Sequence, residues 1–183
     1  VELYLIRHPR PAVAPGVCYG QTDLGLAESA DAVAERLRPL LPADYALFAS
    51  PLARARLLAE ALGTPRLDPR LKEIHFGEWE GRSFDDIGQT ALDAWVAEPL
   101  DFAPPGGESP RRMADRALDF LAGLRAEAHA AAVVVAHGGP LRALAGELLG
   151  LPPERWLTLD FACGEVTRLD LHDWGTVLRW FNR

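Results

Sequence analysis

Two short apolar runs constrain this chain more than any other feature. Leu3-Tyr4-Leu5-Ile6 stops at Arg7-His8, and Ala132-Val133-Val134-Val135-Ala136 stops at His137-Gly138-Gly139. Each run is too short for a confident helix. Each lacks the apolar/polar alternation of a strand with one wet face, so both read as strands buried on two sides. Such strands belong to parallel-rich sheets covered by helices on both faces. In those folds ligands bind beyond the carboxyl ends of the strands, which is where both histidines fall.

The rest of the chain alternates accordingly. The Pro- and Gly-rich segment from Arg10 to Gly25 reads as a long loop, and loops of that length in a compact domain are more often functional than idle. Ala30, Val33, Ala34 and Leu37 recur at helical spacing within 27–38, and Pro39 ends that helix. Tyr45 to Ala49 is a second strand. Ser50-Pro51 then suggests a cap and first-turn proline for a helix over 52–62, closed by Gly63. Arg66 to Asp68 suggests a brief third strand, and 71–81 a shaped loop. A helix is expected over 83–96, and another from the Ser109-Pro110 cap to about His129, with Met113, Ala117, Phe120, Leu121 and Leu124 inward. After His137 the spacing predicts a helix over 141–149. Strands are then expected at 156–161, 165–171 and 177–181, the last two joined by a turn at Asp173-Trp174-Gly175.

With no repeat, low-complexity tract or linker, the chain reads as one domain spanning 1–183. Its net charge of −7 argues against nucleic acid or an anionic membrane as partner, since both need an extended basic face. No apolar run reaches the roughly 18 residues that span a bilayer. The start does not read as a signal sequence, so a cytoplasmic location is the expectation. Cys18 and Cys163 lie far apart and outside any metal-ligand spacing, and free thiols are expected. The C-terminal hairpin is compatible with a homodimer without requiring one.

Arg7, His8, Ser50 and His137 fall at strand ends, and Arg54 lies one helical turn beyond Ser50. Arginine presents a planar, permanently charged fork that matches phosphate oxygens. A protonated His137 would add a third cationic donor. Neighbouring guanidinium groups favour the neutral, nucleophilic form of His8. A leaving alkoxide needs a proton, which a carboxyl group can supply; Glu73, Glu78 and Glu80 are the candidates. These parts describe phosphoryl transfer to a histidine followed by attack of water, with no metal or cofactor required. A single strand-end histidine is usually structural, and Arg54 taken alone would read as a solvated helix residue. Trp79, Phe76 and Trp95 read as core or lid packing, and His75, His129 and His172 have no partners in the pattern.

The chain resembles the histidine phosphatase superfamily, also called phosphoglycerate mutase-like. The resemblance lies in Leu5-Ile6-Arg7-His8, Ser50 to Ala55, Leu71 to Gly81, Gly107-Glu108-Ser109 and Val135-Ala136-His137-Gly138-Gly139, in the family's order. It implies a three-layer α/β/α sandwich with a mostly parallel sheet. It implies His8 as the phospho-accepting nucleophile, Glu73 as the proton donor, and Arg7, Arg54 and His137, with Gly138, around the phosphoryl group. Gly20 and Gln21 correspond to the loop at the substrate entrance. A small phosphorylated metabolite is the implied partner. The family usually carries glycine after the nucleophile; here Pro9-Arg10-Pro11 stand in that place. The missing N–H of Pro9 removes one donor, which Arg10 could replace.

The short chain lacks the long insertions of glycolytic mutases, which favours the phosphatase branch. Tyr19 to Asp23 and Phe76 to Gly81 resemble the α-ribazole phosphatase group of cobalamin synthesis, although broad-specificity phosphatases share the second stretch. Three other readings stand beside this one: a phosphoglycerate mutase using the same site, a metal-dependent hydrolase built on His8, His137 and a carboxylate, and a non-enzymatic phosphate-binding module.

Overall fold

The computed structural model describes residues 1–183. Six strands, β1 (Glu2–Arg7), β2 (Ala46–Ala49), β3 (Arg66–Leu67), β4 (Ala131–Ala136), β5 (Val166–His172) and β6 (Gly175–Trp180), form one sheet of order β3-β2-β4-β1-β5-β6. β1 pairs parallel with β4, and β2 pairs parallel with both β4 and β3. β5 and β6 join antiparallel at one edge. The expected mostly parallel sheet is therefore present, closed by an antiparallel hairpin.

Alternation along the strands builds two cores. Leu3, Leu5, Phe48 and Val134 face α5 (Pro110–Ala126) and α6 (Gly138–Leu148). Tyr4, Ile6, Leu47, Val133 and Val135 face α1 (Ala30–Leu37) and α2 (Ala53–Leu62). β4 is buried along its whole length, which explains its unbroken apolar sequence: both of its faces are covered. Each fully buried Val, Leu or Phe side chain contributes roughly 1.5–3 kcal/mol by leaving water. No helix is long and apolar enough to cross a membrane, and both cysteines are free thiols.

Several elements depart from the sequence expectation. The helix expected over 83–96 is two pieces, α3 (Phe84–Ile87) and α4 (Gln89–Ala97), parted at Gly88, whose φ of 90° no helix accommodates. α6 begins at Gly138, directly after His137, not at Leu141. Pro140 is compatible with that start because the first-turn N–H groups have no intrahelical partner to lose. α5 stops at Ala126, short of His129. Residues 156–161 form no strand: Pro153–Thr158 is a 3₁₀ helix entered through Pro152-Pro153. Trp156 there docks on α6, with its indole N–H donating to Leu151 O, at a point where a Cβ on Gly146 would come within 2.1 Å of its ring.

Ser50-Pro51 does not cap α2 either. Ser50 is turned toward His137, and the carboxylate of Asp23, from the long loop, accepts the N–H of Ala53 at 2.7 Å. A residue thirty positions upstream thus takes the place of the local cap.

Candidate active site

Three neighbouring parallel strands deliver the site. Arg7 and Ala136 are register partners, so the residues that follow them, His8 and His137, emerge side by side. The N–H of His8 donates to Ala136 O at 3.0 Å, and that of Ser50 to Val135 O at 3.0 Å. The two imidazole centroids lie 5.0 Å apart. His8 is 1 % exposed, and Arg54 and His137 are fully buried. The residues placed together by sequence pattern therefore do converge.

His8 Nδ1 lies 2.6 Å from the carbonyl of Pro9. A carbonyl only accepts, so Nδ1 carries the proton and Nε2 keeps its lone pair. Arg54 Nε sits 3.4 Å from that Nε2. Burial, reinforced by Arg54 and Arg7 and opposed by the Pro9 carbonyl, pulls the His8 pKa down to about 3. The ring is neutral and nucleophilic at neutral pH.

Burial likewise holds His137 well below its ordinary range, helped by His8, Arg54, Arg7 and Arg116. The third cation expected from the sequence is thus a neutral imidazole. Its Nε2 lies 2.8 Å from the Ser50 hydroxyl, while its Nδ1 is buried without a partner. Arg7 donates through NH1 to Phe161 O at 2.6 Å, and its buried Nε has no partner. A Cβ placed on Gly138 would lie 3.7 Å from that Nε, so the arginine stands against the start of α6. Unpaired buried donors are costly. The unpaired Arg7 Nε and the unpartnered His137 Nδ1, beside the N–H of Gly138 at the start of α6, make a place for an anion.

Arg54 is held by the entrance loop. NH1 donates to Thr22 O at 3.0 Å and NH2 to Gly20 O, and the guanidinium lies over the Tyr19 ring. Glu80 fixes the same loop by accepting the N–H of Gln21 at 2.8 Å, the N–H of Thr22 at 2.5 Å, and the Thr22 hydroxyl. It also accepts the N–H of Phe76 at 3.1 Å. These bonds hold the Glu80 carboxyl below its ordinary pKa despite the burial that raises it. Gly20 has no room for a side chain, since a Cβ there would lie 1.9 Å from Ile74 O.

Geometry separates the three candidate carboxylates. Glu80 is committed to the loop, and Glu78 is exposed. Glu73 reaches the start of α6: Oε2 accepts the N–H of Gly139 at 3.2 Å, and Oε1 that of Ile74 at 2.9 Å. Its backbone carbonyl accepts from Gln21 Nε2 at 3.0 Å and from Arg116 at 2.9 Å. Arg116 also donates to the carbonyls of Arg70 and Lys72 and pairs with the Glu108 carboxylate. It thereby clamps the segment that presents Glu73. Arg10 lies outside the cradle, its side chain 70 % exposed beside Glu28. No group of three or more His, Cys, Asp or Glu side chains is arranged to hold a metal ion.

Sequence reasoning missed Arg116, Asp23 and Arg142, and weighed Glu80 only as a proton donor, not as the anchor of the entrance loop. Arg142, on α6, comes within 3.1 Å of the Gly138 Cβ position, close to Arg7. Its place four residues after Gly138 is the only local signal for it. The other three act across large sequence separations.

A buried, neutral histidine with an unprotonated Nε2 among arginines and a second buried histidine is suited to phosphoryl transfer, and the fold around it agrees. The chain belongs to the histidine phosphatase superfamily (branch 1), whose family model matches residues 3–183, and it is a phosphoric monoester hydrolase of that superfamily. It is 35 % identical over 181 residues to the glucosyl-3-phosphoglycerate phosphatase of Mycolicibacterium vanbaalenii, covering 86 % of this chain and 78 % of that one. Among solved structures, the α-ribazole phosphatase of Shigella flexneri superposes with a TM-score of 0.90 at 26 % identity, over 100 % of this chain and 96 % of that one. The mycobacterial glucosyl-3-phosphoglycerate phosphatase in complex with inorganic phosphate superposes with a TM-score of 0.84 at 31 % identity, over 100 % and 97 % of the two chains.

Proposed function

We propose that the protein hydrolyses a small phosphomonoester in two steps through a phosphohistidine on His8, without a metal ion. The observation that carries this reading is the unprotonated Nε2 of His8, which accepts from Arg54 Nε at 3.4 Å. In the first step Nε2 attacks phosphorus and the bond to the ester oxygen breaks. Glu73, entering as the carboxylic acid, gives its proton to the departing alkoxide, so a neutral alcohol leaves. Arg7, Arg54, His137 and the N–H of Gly138 stabilise charge on the three phosphoryl oxygens. In the second step Glu73, now a carboxylate, takes a proton from water as its oxygen attacks phosphorus. The N–P bond breaks, and inorganic phosphate and neutral His8 are restored. Rapid acid-free quenching during turnover of a radiolabelled phosphomonoester tests the reading: label bound to the wild type and absent from His8→Ala supports it, and turnover by His8→Ala sinks it.

For the substrate, the entrance loop Tyr19–Asp23 and the likeness to a solved α-ribazole phosphatase support α-ribazole 5′-phosphate. The higher sequence identity to a glucosyl-3-phosphoglycerate phosphatase supports a sugar-acid phosphate as the second reading. A phosphate-release screen across both compounds and phosphoglycerate decides. Isomerised phosphoglycerate without free phosphate would instead favour a mutase.

A further inference from the structure

Next to the phosphate cradle lies a groove of about 490 Å³, between α4, the first turns of α5, α6 and the 3₁₀ turn that carries Trp156. Gly139 and Met113 are among the residues that line it. Gly139 is the residue whose N–H holds Glu73, and a Cβ on it would meet Glu73 Oε1 at 2.3 Å and Met113 Cε at 3.1 Å. The groove therefore borders the residue that holds Glu73, the carboxyl assigned above to the departing alcohol.

Trp95, Leu100, Leu118 and Trp156 supply apolar wall. Val96 and Leu157, 74 % and 72 % exposed, stand on its lining as well. Single exposed apolar side chains are ordinary, but two on one groove that shares Gly139 and Arg142 with the surroundings of the phosphate cradle mark a binding surface. The lining cations are already engaged: Arg111 with Asp101, and Arg142 with Leu159 O and Asp160. Asp115, Glu147 and Glu154 make the remaining charge acidic, so a second anionic group on the substrate meets repulsion there. A volume of this size lies within the range of small-molecule pockets and has room for a fused ring pair.

We infer that this groove receives the alcohol portion of the substrate, and that this portion carries a flat, uncharged, aromatic or heteroaromatic group. The inference rests on the phosphomonoesterase reading above and narrows it to a substrate class. It also separates two chemistries: an aromatic alcohol fits the groove, and an alcohol bearing a carboxylate does not.

The test compares ethyl, phenethyl and carboxyethyl phosphate. All three release a primary alcohol, so leaving-group chemistry is nearly held constant. The wild type is expected to favour phenethyl over ethyl phosphate in kcat/KM by about tenfold or more, the scale of discrimination that small apolar contacts supply. It is expected to favour carboxyethyl phosphate least. The double variant Val96→Asp/Leu157→Asp changes two exposed side chains remote from the phosphoryl group. It should lose the phenethyl preference through KM and hydrolyse ethyl phosphate as the wild type does. Equal use of phenethyl and ethyl phosphate, a preference for the carboxylate, or an unchanged preference in the double variant overturns the groove assignment. Failure of the wild type to hydrolyse any of the three overturns the phosphatase reading itself.

Discussion

His8 is oriented by the residue directly after it: its Nδ1 lies 2.6 Å from the carbonyl of Pro9. The bond uses a backbone oxygen, which every residue type offers. Proline at this position therefore removes an N–H without disturbing the tautomer. Pro9→Gly should retain activity within about threefold of wild type, because the acceptor that fixes the ring stays in place. His8→Ala should lose at least about a thousandfold in kcat, since the proposed nucleophile is gone. Both are read from kcat on a generic aryl phosphate. A collapse of Pro9→Gly to the level of His8→Ala would show that the proline ring, not its carbonyl, sets the site.

Glu73 touches the start of α6 through Gly139, and in the proposed reaction it protonates the leaving oxygen there. Glu73→Gln keeps a side-chain oxygen for that N–H but cannot release a proton as an acid does. With an alkyl phosphate, kcat should fall by roughly a hundredfold or more, the usual scale of general acid catalysis. With p-nitrophenyl phosphate, whose leaving group is stable as an anion, the loss should be much smaller. Equal losses on the two esters would remove Glu73 from the proton-transfer role and leave it a structural carboxylate.

The parts of this site that were legible in the sequence are those fixed locally. Arg7, His8 and His137 follow directly from strands recognisable by unbroken apolar sequence, and Arg54 from its spacing after Ser50. The parts that were not legible depend on partners brought near by folding. Arg116 reads as an ordinary polar helix residue, yet it reaches across more than forty positions to the carbonyls of Lys72 and Glu73. Asp23 replaces the cap that Ser50-Pro51 suggested because Ser50 is needed at His137. The break at Gly88 and the docking of Trp156 on Gly146 are tertiary outcomes as well. In the sequence, one looked like a tolerated helix glycine and the other like a strand aromatic.

Glu80 illustrates how far such a partner can matter. It accepts from the N–H groups of Gln21 and Thr22, and the carbonyls of Gly20 and Thr22 in turn hold the Arg54 guanidinium. Glu80→Ala should free the loop and let Arg54 drift from the phosphoryl group. A misplacement of about 1 Å costs on the order of a hundredfold, and here it should appear in both kcat and KM. Glu80→Gln, which can still accept from the loop, should recover part of the loss. A positioning role also predicts weaker inhibition of Glu80→Ala by inorganic phosphate. Unchanged phosphate inhibition together with full activity would sink it.

The buried neutral histidines carry a cost that depends on pH. Above about pH 6.5 a histidine is mostly neutral whether the chain is folded or unfolded, and contributes no pH dependence. Below that, the unfolded chain binds a proton that folded His8, with its pKa near 3, does not. The unfolded state then holds more protons, so stability falls as pH falls, from about 6.5 toward 3. At pH 5 the share of His8 is about 2 kcal/mol, and His137 acts in the same direction. Carboxylates contribute little between pH 6.5 and 5, because their ordinary pKa values lie near 4, so this window isolates the histidines. Urea unfolding at the two ends of the window should show the loss, and His8→Asn, which cannot take up the proton, should show a correspondingly smaller one. Equal slopes for wild type and His8→Asn would mean that His8 titrates alike in the folded and unfolded chain, contrary to its burial among Arg7, Arg54 and His137.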